Sequence, residues 1–374
     1  MTNNPAKKKW PRVIISGGGT GGHIFPAVAI ARGIQEQYPN AEILFVGAKG
    51  RMEMEKVPAA GFPIEGLWIS GLQRSFTFKN FLFPLKVITS VWKALRIIRK
   101  FKPDVAIGVG GYASGSLLYA ASMKGIPCLI QEQNSYPGIT NKVLKNRVQK
   151  ICVAYDKMER FFPADKIILT GNPVRKEITK LEGKRDRGLE KFGLDGSKKI
   201  VLVVGGSLGA RSVNHAIDAN LQLFADNDVQ LIWQTGKLYT EQAKKRVAEV
   251  GKKGIQSLDF IADMDLAYAV ADVVISRAGA LAVSELCLVK KPAILVPLPS
   301  AAEDHQTKNA LSLVNYNAAL LIKDSEVKDK LVQTAIALLN DKEQMEKLSR
   351  NMDKLAFANA TETIVSEVMK LIQK

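Results

Sequence analysis

A histidine, a glutamate and an arginine, each beside a turn of small residues, are the side chains of this sequence best placed for chemistry. His23 ends the run Ser16-Gly17-Gly18-Gly19-Thr20-Gly21-Gly22-His23. An imidazole at the mouth of a glycine loop is a candidate general base, because the neutral ring can take a proton. Glu285 closes the run Ser276-Arg277-Ala278-Gly279-Ala280-Leu281-Ala282-Val283-Ser284-Glu285. Its carboxylate can accept two hydrogen bonds from a vicinal diol such as ribose. Arg175 follows the turn-rich Thr170-Gly171-Asn172-Pro173-Val174, and a guanidinium fork fits the oxygens of a diphosphate. Gln131-Glu132-Gln133-Asn134 groups polar side chains suited to sugar hydroxyls. His215 and His305 fall within helical patterns. Three scattered histidines make no metal site, so neither metal nor cofactor is expected.

These residues need a frame, and the runs around them supply one. Two further loops, Gly108-Val109-Gly110-Gly111-Tyr112-Ala113-Ser114-Gly115 and Gly205-Gly206-Ser207-Leu208-Gly209, also follow an apolar run and open a helical pattern. Such a junction offers unpaired amides and the positive end of a helix dipole to an anion. Several of them in two halves of one chain point to a phosphorylated ligand at the carboxyl ends of open α/β sheets. Gly17, Gly19 and Gly22 fit a dinucleotide fingerprint. The acid that would take the ribose is missing, since the second strand ends Val46-Gly47-Ala48-Lys49. No GxxxxGK[ST] loop occurs.

Short Val/Ile/Leu runs predict strands at 12–16, 42–46, 104–109, 127–131, 200–204, 229–234, 272–276 and 292–297. Helices are expected from Pro26 to Gln37 and from about Ser114, Ala210 and His305, with one ending at Leu288. Near-continuous apolar strands between helices indicate parallel sheets covered on both faces. A chain of 374 residues suits two such domains. The expected fold is α/β, with two Rossmann-like doubly wound domains. The boundary between them is placed at the turn-rich link, between 173 and 174, and residues 341–374 are expected to be helical throughout.

Composition narrows the partners. Lys and Arg number 53 against 36 Asp and Glu, a net charge of +17. A surface that basic matches nucleic acid, anionic lipid or phosphorylated substrates. Cys128, Cys152 and Cys287 form neither a disulfide frame nor a zinc motif and read as reduced thiols. Residues 1–10 lack the apolar core of a signal peptide, and no uncharged apolar run is long enough to span a bilayer. One segment still suggests a membrane surface. Phe76, Phe78, Phe81, Leu82 and Phe83 crowd a loop-like stretch, and Leu85, Ile88, Trp92 and Leu95 follow at helical spacing. Arg74, Lys79, Lys86, Lys93 and Arg96 are interleaved without an acid. The helical stripe is expected to be buried against a sheet. The phenylalanine-rich basic loop is expected to enter anionic headgroups; single-stranded RNA, which also stacks on aromatics, is the alternative.

Taken together, GGGTGGHIFPA, GGYASG, EQNSYPGITNK, GNPVR, GGSLGAR, RAGALAVSE and EDHQTKNA resemble the bacterial N-acetylglucosaminyltransferases that convert lipid I to lipid II in peptidoglycan synthesis. The resemblance runs over nearly the whole chain. It implies the GT-B architecture, two Rossmann-like domains facing a cleft, and an inverting transfer without metal. It also implies that the final helix returns to the first domain, giving 10–173 plus 357–374 for the first and 174–356 for the second. The donor would be UDP-N-acetylglucosamine and the acceptor a lipid-linked muramyl peptide, at the cytoplasmic face of the cell membrane. It implies His23 as base for the acceptor hydroxyl. The implied donor site comprises Thr20, Gly21, Gly22, Asn134, Arg175, Ser207, Ile261 beside uracil, Ala280, Leu281, Ala282, Val283, Ser284, Glu285 on the ribose, and Gln306. Gly18, Gly19, Gly110, Gly111, Tyr112 and Ser114 would face the acceptor. Phe76, Phe78, Lys79, Phe81, Leu82, Phe83, Lys86, Trp92 and Arg96 would dock on the membrane. Gln131, Ser116 and Leu208 depart from the commoner pattern, where histidine, proline and glutamine are frequent. A UDP-N-acetylglucosamine 2-epimerase, which needs no lipid acceptor, and a nucleic-acid-binding protein are the rival readings; no nucleic-acid partner is expected, since no RNA-binding motif occurs.

Overall fold

The computed structural model describes residues 10–71, 83–206 and 208–373. The chain divides into two α/β units, Met1–Val174 with Asn359–Lys374, and Arg175–Ala358. The first holds β1 (Arg12–Ser16), β2 (Glu42–Ala48), β3 (Ile64–Leu67), β4 (Val105–Gly108), β5 (Cys128–Glu132), β6 (Lys150–Val153) and β7 (Ile167–Leu169) in the order β3-β2-β1-β4-β5-β6-β7. The second holds β8 (Ile200–Val204), β9 (Gln230–Gln234), β10 (Ile255–Leu258), β11 (Val273–Ser276), β12 (Ala293–Leu295) and β13 (Leu320–Leu321) in the order β10-β9-β8-β11-β12-β13. Every described pairing is parallel.

The strands are apolar on both faces because helices cover both. In β1, Val13 and Ile15 join one core with Ile24, Ala27 and Ile30 of the Gly21–Gln37 helix. Ile14, between them, points the other way and joins a second core with Leu117 and Leu118 of the Tyr112–Met123 helix. This is the two-residue alternation of a strand. Fully burying each such side chain contributes about 1.5–3 kcal/mol.

Three local expectations change. The helix placed from Pro26 begins at Gly21, and Pro26 lies inside it. Pro26 has no amide, so one bond of the helix ladder is forfeited, while the five residues before it still wind. Residues 341–374 are not helical throughout: Lys342–Lys354 and Ala360–Ile372 are separate helices. The break lies where the chain leaves the second unit for the first. The stripe expected in the core is open, because Leu85, Ile88 and Trp92 of the Phe83–Phe101 helix are 50 %, 66 % and 62 % exposed. That helix packs instead through Ala94, Ile97 and Ile98, with Leu95 partly buried.

The last helix is bound to the first unit by close packing. Ile364, Val365 and Val368 join the core of Val13 and Ile15. A Cβ on Gly33 would stand 2.5 Å from Thr361 Cγ2 and 3.2 Å from Val365 Cγ2. The Gly33→Leu variant is expected to lose about 1–3 kcal/mol by overpacking, read as a lower urea midpoint. An unchanged midpoint contradicts this packing.

Candidate active site

The four loops singled out by sequence meet in pairs. In the first sheet β1 and β4 are neighbours, with Ser16 opposite Gly108, yet their chains leave toward opposite sides of the sheet. The first glycine loop follows β1 and the second follows β4. In the second sheet β8 and β11 repeat this, with Val204 opposite Ser276. Open parallel sheets hold ligands at such reversals of strand order.

In the first unit His23 is the third residue of its helix and half-buried. Its Nδ1 lies 2.8 Å from Gln133 Oε1. The ring lies over Gly110, whose φ is +106° and where a Cβ would stand 2.7 Å from Nδ1, so glycine is required for the turn and for the approach. The Gly18 amide donates to the Gly110 carbonyl at 3.4 Å, tying the two loops together. The Gly19 amide donates to Glu53 Oε2 at 2.9 Å, and Ala48 donates to Oε1 at 3.0 Å. Two of the loop amides are therefore engaged within the protein. Gly21 and Gly22, in the first helical turn, have no intrahelical partner for theirs. Gly111 precedes the Tyr112–Met123 helix, and Tyr112 is 45 % exposed. Ser114 is fully buried with no partner for its Oγ among the described residues, so it offers the site only its main chain.

The segment after β5 is built around Glu132. Its Oε1 accepts from the Asn134 amide at 3.0 Å and from Asn134 Nδ2 at 3.3 Å. Its Oε2 accepts from the Gly138 amide at 3.1 Å and from Asn141 Nδ2 at 2.8 Å. Asn134 thus holds its place through a buried carboxylate, and Glu132 itself is not displayed.

In the second unit Glu285 is the centre. Tyr268 Oη donates to its Oε2 at 3.1 Å, and Arg175 Nη2 stands 3.5 Å from its Oε1. Burial raises the pKa of Glu285, while the Arg175 charge and the Tyr268 hydrogen bond pull it down. Burial, and then the Glu285 charge, raise Tyr268 well above the usual range. A cavity of about 740 Å³ opens between the loops that follow β8 and β11, lined by Gly206, Arg211, Ser212, Arg277, Ala282 and Gln306 among others. Arg277 is committed to structure, donating to Asp324 Oδ1 at 2.5 Å and to the Val296 carbonyl at 3.2 Å. Gln306 Oε1 accepts from the Leu298 amide at 2.9 Å. The Ile261 side chain is 3 % exposed and its amide donates to Gln234 Oε1 at 3.2 Å, leaving its carbonyl as the group able to meet a base. Ala280 and Val283 are buried, whereas Leu281, Ala282 and Ser284 are partly exposed. Ser207 lies outside the described residues, as do Phe76, Phe78, Lys79, Phe81 and Leu82.

The described part of the basic aromatic segment forms an open face. Arg96 lies 4.0 Å over the exposed Trp92 ring, and Lys86 lies 5.6 Å over Trp68. No helix among the described residues is long and apolar enough to cross a membrane. Sequence reasoning passed over Glu53, Tyr268 and Gln133 as positioning groups. The available signal was topological: β1 and β2 run side by side, so an acid just after β2 reaches the loop after β1.

Comparisons with known proteins agree on the lineage. The sequence model of the glycosyltransferase family 28 N-terminal domain matches residues 13–153, and that of the C-terminal domain matches residues 200–364. A Christiangramia forsetii protein described as UDP-N-acetylglucosamine–N-acetylmuramyl-(pentapeptide) pyrophosphoryl-undecaprenol N-acetylglucosamine transferase is 54% identical over 98% of this chain and 99% of its own. The crystal structure of Acinetobacter baumannii MurG superposes with a TM-score of 0.77 at 29% identity, covering 96% of this chain and 99% of that one. A UDP-N-acetylglucosamine 2-epimerase structure reaches 0.63 at 15% identity, over 97% of this chain and 96% of that one, a likeness of fold alone.

The Glu285→Gln variant keeps the shape and removes the charge. UDP binding is expected to weaken by about 1.5–3 kcal/mol, roughly 10- to 150-fold in Kd, measured by calorimetry. In the unmodified protein the ionised form is the better acceptor and its pKa is raised. Affinity should therefore begin to fall with decreasing pH sooner than an ordinary glutamate would dictate, and the Gln variant should lack that limb. Equal affinities at neutral pH overturn the assignment.

Proposed function

The chain belongs to glycosyltransferase family 28, and we infer from this its reaction: transfer of N-acetylglucosamine from UDP-N-acetylglucosamine to the C4 hydroxyl of undecaprenyl-pyrophosphoryl-N-acetylmuramyl-pentapeptide, with inversion. This is the step from lipid I to lipid II in peptidoglycan synthesis. The epimerase reading shares the fold but not the sequence. One structural observation supports the reading most: the four loops of small residues stand at reversals of strand order, one pair in each unit.

The chemistry follows from the residues. His23 removes the proton of the attacking hydroxyl. Negative charge grows on the diphosphate as its bond to the sugar breaks. Fixed amide dipoles at the helix starts and the Arg175 guanidinium stabilise that charge without having to reorganise, usually the largest catalytic term. Arg175 is 40 % exposed and its contact with Glu285 is loose, so it is not locked away from a phosphate. Glu285 holds the ribose; Gln306, Ile261, Asn134 and the turns at Thr20–Gly22 and Ala280–Ser284 complete the donor site, with Ser207. Gly18, Gly19, Gly110, Gly111, Tyr112 and Ser114 face the acceptor.

The open face of the Phe83–Phe101 helix, with the phenylalanine-rich segment before it, docks the protein peripherally on the cytoplasmic side of the membrane. There each Lys or Arg near an anionic surface is worth about 1 kcal/mol. The +17 charge is thus matched by lipid and diphosphate rather than nucleic acid.

UDP release measured with and without lipid-linked muramyl acceptor tests the reaction. Acceptor-dependent release is expected, and none of the manno epimer from the donor alone. The His23→Ala variant should turn over about 100- to 10,000-fold more slowly at unchanged UDP affinity; unchanged turnover dismisses it as the base. Separately, the Ile88→Glu/Trp92→Glu double variant should lose sedimentation with phosphatidylglycerol-containing vesicles while still binding UDP. Retained vesicle binding removes the docking role.

A further inference from the structure

The side chain that meets His23 can do so in only one orientation. Gln133 is 1 % exposed, and its Nε2 lies 2.8 Å from the Val109 carbonyl and 2.9 Å from the Gln131 carbonyl. Main-chain carbonyls only accept, so the NH₂ must face them and Oε1 must face the imidazole. The same logic fixes the amides behind it. Asn172 Nδ2 donates to the Gln133 carbonyl at 3.0 Å, which turns its Oδ1 toward Gln131 Nε2, also at 3.0 Å. Gln131 must then present Oε1 to Gln133 Nε2, whose two hydrogens are shared among this oxygen and the two main-chain carbonyls. Gln131 and Asn172 are as buried as Gln133. Flipping any one of the three would strand buried polar groups, at about 1–3 kcal/mol each.

We propose that this chain of amides is a tautomer lock. Gln133 Oε1 accepts from His23 Nδ1–H, so the lone pair sits on Nε2, and Nε2 is the atom that takes the acceptor's proton. Nε2 makes no hydrogen bond to any described residue, as that task requires. The inference rests on His23 as the base and adds the reacting atom and its positioning residue. In the step itself the hydroxyl O–H breaks and its proton moves to Nε2. The freed oxygen bonds to the anomeric carbon, and UDP departs with the electron pair of the old carbon–oxygen bond. Nδ1–H is kept throughout, still bonded to Oε1. A neutral amide orients the ring without bringing a net charge into the site. Gln131, at a position where the resembled family often has histidine, is itself a link in the chain.

Protein labelled with ¹⁵N-histidine carries three imidazoles, and the His23→Ala spectrum assigns one of them. Long-range proton–nitrogen NMR then reports which ring nitrogen of His23 bears hydrogen. The expected result is Nδ1–H in the unmodified protein. In Gln133→Met, Nε2–H should appear, and in Gln133→Glu, which keeps an acceptor, Nδ1–H should persist. In Gln133→Met kcat should fall about 10- to 100-fold, a share of what a general base supplies, with KM for the sugar nucleotide unchanged. In a His23→Ala background the same change should cost nothing more, because the two residues act as one unit. An Nε2–H tautomer in the unmodified protein overturns the proposal, and so do independent losses in the double variant. If Gln133→Met does not fold, the spectrum of the unmodified protein still decides. If His23→Ala leaves turnover intact, the base assignment has failed, and the tautomer alone then tests the lock.

Discussion

Two neighbouring parallel strands whose chains depart toward opposite sides of a sheet leave a gap at their carboxyl ends. Everything chemical in this protein depends on that constraint. Between β1 and β4 the gap receives the first two glycine loops, and between β8 and β11 it receives the third loop and the Arg277–Gly279 turn. Neither gap needs a special side chain to attract an anion, since helix starts supply amides and dipoles. The side chains have a different task, which is to hold those amides still.

Holding them is expensive, and the protein does it with buried acids and amides. Glu53 takes two main-chain N–H groups, and Glu132 takes four donors from Asn134, Gly138 and Asn141. Hydrogen bonds to a charged group are worth about 1.5–3 kcal/mol each, and an unpaired buried carboxylate costs more than any one returns. Such clusters therefore persist only when fully satisfied, and a satisfied cluster has one geometry. This is how electrostatic preorganisation is achieved in loops that glycine would otherwise leave mobile.

Much of this was legible in the residue order. The central strands β1, β4, β5, β8, β9, β11 and β12 announce themselves as unbroken apolar runs because both faces are covered. The unread strands include all four sheet edges, β3, β7, β10 and β13, which are short and have at most two fully buried positions each, so the apolar signal fades. Glycine loops, His23, Glu285 and Arg175 stood out by residue type. Glu53 did not, since an acid in the first turn of a helix ordinarily just complements the dipole. Its partner lies 34 residues away, and only the β1–β2 pairing brings them together. The Leu85/Ile88/Trp92 stripe was misassigned for a similar reason. Periodicity identifies an apolar face but not what covers it.

That misassignment bears on how the protein meets its acceptor. A helix with a buried face of Ala94, Ile97 and Ile98 needs no second apolar face for folding. Leaving Ile88 and Trp92 in water forgoes the stabilisation their burial would bring, of the order of 1.5–3 kcal/mol for each large apolar side chain. Folding gives no return for this; the proposed partitioning into lipid would, and the neighbouring cations would make that return specific to anionic surfaces. Arg96 over Trp92 keeps the ring standing and a charge beside it. The same helix abuts the Tyr112–Met123 helix, which starts at the second glycine loop. The face proposed to dock on the bilayer is thus joined by direct packing to the loop proposed to meet an acceptor's diphosphate. On that proposal one α/β unit would hold the lipid-linked substrate both at its chain and at its charge.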